Sequence, residues 1–79
     1  MNILFLGPKR QKQIEIVNFL KKDGHHIFWT SKRLNPSDIQ NFDFLFSFGY
    51  RYLLNKEILD FFKNKAINFH ISYLPWNKG

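Results

Sequence analysis

Cysteine is absent from the 79 residues, which excludes a disulfide framework and any thiolate metal site. Long apolar runs are absent as well. Ile3-Leu4-Phe5-Leu6 falls far short of the ~20 residues a bilayer crossing needs. A secretory leader places its positive residues before its apolar run, whereas Lys9, Arg10 and Lys12 follow this one. A cytoplasmic chain with no membrane partner is therefore expected. Acidic residues are few, six against twelve Lys and Arg, leaving a net charge of +6. The cations are scattered and form no run that reads as a tail. Such a charge fits an anionic partner or a plain solvated surface. Neither the G-x-G-x-x-G nor the G-x-x-x-x-G-K-[ST] pattern occurs, so the nucleotide fingerprints fail. His25 and His26 alternate in direction on a strand and have no third or fourth ligand nearby, so no metal site is expected.

What the chain does have is apolar and aromatic: 44% hydrophobic residues, 19% aromatic, and ten Phe. That is a globular composition, and the length allows one domain at most. Ile3–Leu6, closed by Gly7-Pro8, reads as a strand buried on both faces. Lys9–Lys22 reads as a helix with Ile14, Val17 and Leu20 or Lys21 at helical spacing. Lys21, Lys22 and then Gly24 supply its stop. His25–Thr30 is strand-like. Asn35-Pro36-Ser37-Asp38 can form one short helical turn. Phe44–Phe48 is a second buried strand. Asn55 caps a further helix, with Leu54 and Leu59 spaced as a hydrophobic staple and Ile58, Leu59, Phe61 and Phe62 on its apolar side. Ala66–Ile71 is the last strand. The alternation specifies an α/β fold with a mainly parallel sheet of about four strands. Two helices cannot cover both faces of four strands, so Phe-rich strand surface should stay bare.

Ligands of open α/β sheets bind at the carboxyl ends of the strands. Those ends are Gly7-Pro8, Ser31-Lys32, Gly49-Tyr50-Arg51 and His70-Ile71-Ser72. At the last, Asn68, His70 and Ser72 recur at period two and point to one side of an extended strand. Such a polar side either caps loop backbone or carries acid–base chemistry with an amide partner. Arg51 can meet phosphates or stack on Tyr50 or Tyr52. Gly7-Pro8-Lys9-Arg10 is an ordinary loop or an anion cradle. Trp29, Tyr50 and Tyr52 are core or a stacking platform.

The segment Asn68-x-His70-x-Ser72-x-Leu74-Pro75-x-x-x-Gly79 resembles the active-site signature of the folate-dependent formyltransferases. Ile71–Gly79 and Phe48-Gly49-Tyr50-Arg51-Tyr52 are similar to the branch that formylates amino sugars on nucleotide carriers, of the dTDP-4-amino-4,6-dideoxyglucose formyltransferase type. The resemblance implies a Rossmann-like N-terminal part of a catalytic domain over residues 1–79, with 10-formyltetrahydrofolate as cofactor and a nucleotide-linked amino sugar as acceptor. Lipopolysaccharide biosynthesis is the implied pathway, and a homodimer is an expectation for the full-length protein. Asn68 would stabilise the growing oxyanion, and His70 would act as acid or base. Ser72, Leu74, Pro75 and Gly79 would shape the loop. Tyr50, Arg51 and Lys78 would bind substrate. The family's third catalytic group is an aspartate well beyond the His. None of Asp23, Asp38, Asp43 or Asp60 stands there, so the domain is expected to be incomplete at its C-terminal end and inactive alone. Methionyl-tRNA is the alternative acceptor. The diffuse charge does not choose between a nucleic acid and a diphosphate, and the motif favours the sugar. A truncated remnant or a small basic binding module is the rival from another class.

Overall fold

The computed structural model describes residues 1–68 in full and the backbone of Phe69. Strands β1 (Asn2–Leu6), β2 (His26–Thr30), β3 (Phe44–Phe48) and β4 (Ala66–Phe69) form one sheet in the order β2-β1-β3-β4. Every pairing is parallel. Helix α1 (Gln11–Lys22) joins β1 to β2, and α2 (Lys56–Phe61) joins β3 to β4. A single 3-10 turn over Pro36–Asp38 sits in the β2–β3 connector, with Asp38 N–H donating to the Asn35 carbonyl.

The two interior strands explain their own sequences. Leu4, Phe5 and Leu6 have no exposure, because β1 is flanked by β2 and β3 and covered on both faces. Such a strand must be apolar at consecutive positions. On one face, Ile3, Phe5, Phe46 and Phe48 pack with Val17 of α1. On the other, Leu4, Leu6 and Leu45 pack with Ile39, Ile58 and Phe62. From β1 the chain steps one way to β2; from β3 it steps the other way to β4. Right-handed crossovers in opposite directions put their helices on opposite faces.

Two helix faces differ from the periodicity reading. In α1 the inward residues are Gln13 and Val17, with Ile16 and Leu20 half-buried, while Ile14 is 38% and Phe19 68% exposed. The helix starts at Gln11, two residues later than expected, without a side-chain cap. That phase turns Gln13 inward and Ile14 outward. In α2 the inward pair is Ile58 with Phe62 just past its end. Leu59 and Phe61 face outward, so the apolar side is narrower than the sequence suggests. Asn55 does cap the helix: its side-chain oxygen accepts from Ile58 N–H at 3.0 Å.

Among the described residues the bare strand surface lies at two diagonal corners. Phe28 of β2 pairs with Leu4 and lies on the α2 face, 56% exposed beside Phe42. Ile67 of β4 pairs with Phe46 and lies on the α1 face, 41% exposed. Each helix covers its own half of the sheet and leaves the opposite half of that face open. Phe46 and Phe48 are themselves buried. Among the described residues no helix is long and apolar enough to cross a membrane.

Candidate functional site

The strand order reverses between β1 and β3, and the two strand ends come close there. Gly7 follows β1 with φ +147°, and a Cβ on it would stand 2.0 Å from the carbonyl oxygen of Phe48. Only glycine lets the two strand ends meet. Gly49 follows β3 with φ +75°. The buried Gln13 reaches up from α1 and donates its side-chain N–H to the same Phe48 carbonyl at 3.2 Å. Gly7 N–H donates to Thr30 carbonyl at 3.1 Å, and Trp29 Nε1–H donates to Gly7 carbonyl at 2.9 Å. The ends of β1, β2 and β3 are thereby tied to one another by side chain and backbone.

These ends frame a cleft of about 560 Å³. Its lining comes from Gly7, Pro8 and Arg10, from Ser31 and Lys32, and from Gly49, Tyr50, Arg51 and Tyr52. Three of the four strand ends singled out in the sequence thus converge, at the position where open α/β sheets take ligands. The cleft contains Arg10, Lys32 and Arg51 and no carboxylate. Among the described residues none of these cations forms an ion pair; the two ion pairs there are Asp23–His25 and Lys56–Asp60. Concave, uncompensated positive charge focuses anions.

Both readings of Arg51 hold at once. It lines the cleft, and its guanidinium lies over the Tyr52 ring at 5.5 Å. Arg33, from the β2–β3 connector, lies over the same ring at 4.6 Å. Tyr52 meets Tyr50 edge-on at 5.6 Å, and the Tyr50 hydroxyl donates to the Lys32 carbonyl at 2.7 Å. Burial pushes the Tyr50 phenol above its ordinary value; the Leu34 backbone lowers it, Tyr52 raises it and Arg33 lowers it. Trp29 stands apart from this pair. It packs edge-on against Phe5 with Lys9 over its ring at 5.4 Å, so the three aromatics do not form one platform.

A second, smaller pocket of about 260 Å³ lies beyond the Tyr50–Arg51–Tyr52 segment, which both pockets share. Leu53, Leu54 and Leu59 make it apolar, and Ser47 and Asn68 make one side polar. Ser47 pairs with Asn68 across β3 and β4, so the two side chains lie on one face. Ser47 is 4% exposed, and Asn68 is exposed. Apolar walls with a few convergent polar groups are the ordinary form of a small-molecule site. His70, Ser72, Leu74, Pro75, Lys78 and Gly79 lie outside the described residues.

Gln13, Arg33 and Ser47 were not singled out in the sequence. Ser47 had a signal, a lone polar residue inside the buried run Phe44–Phe48. Gln13 had one in its i,i+4 spacing with Val17. Arg33 had none, since its place on Tyr52 depends on tertiary structure. Among the described residues no cluster of His, Asp or Glu could hold a metal ion.

No known family model matches the sequence. A methionyl-tRNA formyltransferase from Finegoldia magna is 35% identical over 66 residues, which are 84% of this chain and 19% of that enzyme. The crystal structure of the formyltransferase PseJ from Anoxybacillus kamchatkensis is 38% identical with a TM-score of 0.80. That structure is a complex with UDP-4,6-dideoxy-4-formamido-L-AltNAc and tetrahydrofolate, and the match covers 96% of this chain and 40% of PseJ. The chain thus spans less than half the length of either relative.

Proposed function

We propose, from a chain related in sequence and fold to the folate-dependent formyltransferases, that it forms part of an enzyme moving a formyl group to the amine of a nucleotide-linked amino sugar. The observation that carries this reading is the wall Tyr50–Arg51–Tyr52, with a cationic cleft on one side and the pocket of Asn68 on the other. The cationic cleft suits the phosphates of the acceptor. The apolar pocket, with its polar Ser47–Asn68 side, suits the reacting end of a heteroaromatic donor. Two reactants held across one wall gain from proximity and orientation.

When bound, 10-formyltetrahydrofolate supplies the formyl group. Asn68 donates its side-chain N–H to the formyl oxygen as charge grows there, an effect worth about 2.7–4 kcal/mol per donor in other enzymes. His70 would carry the proton that leaves the attacking amine, the acid or base role open to an imidazole. The donor would supply an exchange of one C–N bond for another, from its own nitrogen to the acceptor amine, with the amine's proton passed to the released nitrogen. Ser47 holds the face on which Asn68 stands. Tyr50, Arg51 and Lys78 orient the acceptor. Such reactants fit a cytoplasmic enzyme of surface-polysaccharide synthesis.

The test incubates the full-length protein with 10-formyltetrahydrofolate and UDP- or dTDP-linked 4-amino-4,6-dideoxy sugars. Mass spectrometry then looks for one added formyl group. Formation of the N-formyl sugar is expected, and Asn68→Ala should slow it by about 10²–10³-fold with the acceptor still bound. The Finegoldia magna relative favours methionyl-tRNA as a second acceptor. Formylation of methionyl-tRNA with no sugar product would replace the sugar reading.

A further inference from the structure

We infer that Arg33 and Arg51, gathered on the ring of Tyr52, form a paired-guanidinium site that selects a diphosphate over a monophosphate; the inference rests on the proposed nucleotide-linked acceptor and names the residue that reads its phosphates. Two guanidiniums from different segments lie over one ring, Arg33 at 4.6 Å and Arg51 at 5.5 Å. The Tyr52 ring face attracts each of them, while the two cations repel each other. Among the described residues neither makes an ion pair. The other charged residues that line the cleft with Arg51 are Arg10 and Lys32, of the same sign. What relieves the repulsion is an anion with two adjacent charged centres, one for each planar fork.

Arg33 is also held in place before any ligand arrives. The carbonyl of its neighbour Lys32 accepts from the Tyr50 hydroxyl at 2.7 Å, and Tyr50 packs edge-on against Tyr52 at 5.6 Å. The β2–β3 connector is therefore clasped to the loop after β3 at two successive residues. A side chain fixed in this way loses less freedom on binding. Arg51 lines the cleft, while Arg33 stands outside that lining and shares the Tyr52 ring with it, so a first phosphate meets Arg51 in the cleft and a second, reaching past Tyr52, meets Arg33.

The full-length protein is titrated by calorimetry with UDP, UMP, inorganic pyrophosphate and orthophosphate at one fixed salt concentration. UDP should bind at least about tenfold more tightly than UMP, and pyrophosphate more tightly than orthophosphate by a similar factor. Arg33→Gln should abolish most of that preference and leave UMP affinity within about twofold of wild type. Tyr52→Phe should keep the preference, because the ring face remains; Tyr52→Leu should lose it. Arg33 is exposed, so Arg33→Gln leaves the core untouched. UDP binding with an unchanged preference in Arg33→Gln would overturn the guanidinium pair and leave the acceptor reading standing. A wild-type protein that binds neither UDP nor pyrophosphate would overturn both.

Discussion

At the residue scale the cleft depends on a glycine. Gly7 sits where a methyl group would overlap the Phe48 carbonyl, and its φ of +147° is hostile to other residues. Overlap and strain together should cost roughly 2–4 kcal/mol in Gly7→Ala. For a chain of this size each kcal/mol lowers the melting midpoint by about 4–8 °C, so a calorimetric or circular-dichroism melt should show the loss directly. Tyr50 offers a second residue-scale test. Its phenol is raised above its ordinary value of 10.0, chiefly by burial. The neutral hydroxyl makes the clasp to Lys32, so its stabilisation is fully present below the unfolded value and is lost as pH rises through the folded one. Ultraviolet titration should show a tyrosine component ionising above the ordinary value, and Tyr50→Phe should remove that component. The residues themselves differ in how far the sequence exposes them. Arg51 was legible as phosphate-binding or ring-stacked because it follows a strand end and sits between two tyrosines. Gln13 was not, because a polar residue reads as solvated; its i,i+4 spacing with the apolar Val17 was its one signal, and only packing on the sheet shows that both go inward.

At the element scale the strands were legible and the helix faces were not. A strand buried on both sides needs an uninterrupted apolar run, and Ile3–Leu6 and Phe44–Phe48 are such runs wherever the neighbours fall. Helix faces depend on phase, and α1 has no side-chain cap to mark its start. Helix α2 does have one. Asn55 accepts from Ile58 N–H, and Ile58 and Phe62 go inward from there. Leu54, partly buried, packs against them while Leu59 stays half exposed, so only one partner of the expected staple packs against the core. Asn55→Ala should cost about 1 kcal/mol, and Asn55→Ser should retain most of it, as read by denaturant melts. The same loss should weaken ligand binding in the smaller pocket, because Leu54 and Leu59 flank the cap and line that pocket. The register Ser47↔Asn68 makes the polar side of the pocket a property of strand pairing. A period-two pattern shows that Asn68 has a polar face, and only the pairing shows which residue stands beside it.

At the scale of the whole molecule, coverage is the unresolved physical problem. Two crossovers in opposite directions give each face one helix, and each helix reaches only its own half of the sheet. Phe28 on the α2 face and Ile67 on the α1 face are what remains. The sequence foretold bare strand surface from the ratio of helices to strands, but not its location, which follows from the order β2-β1-β3-β4. Phe19, Leu53, Leu59 and Phe61 add exposed apolar area on the helices and loops. Surface of this kind associates in water once it becomes contiguous. The 79-residue chain on its own should therefore bind a hydrophobic dye and self-associate as its concentration rises, by light scattering or sedimentation. Phe28→Lys and Ile67→Lys act at opposite corners that share no neighbours, so their effects on dye binding should add. A chain that melts sharply as a monomer and leaves the dye dark would mean that the two corners are too small to matter, and that one helix per face suffices for this sheet.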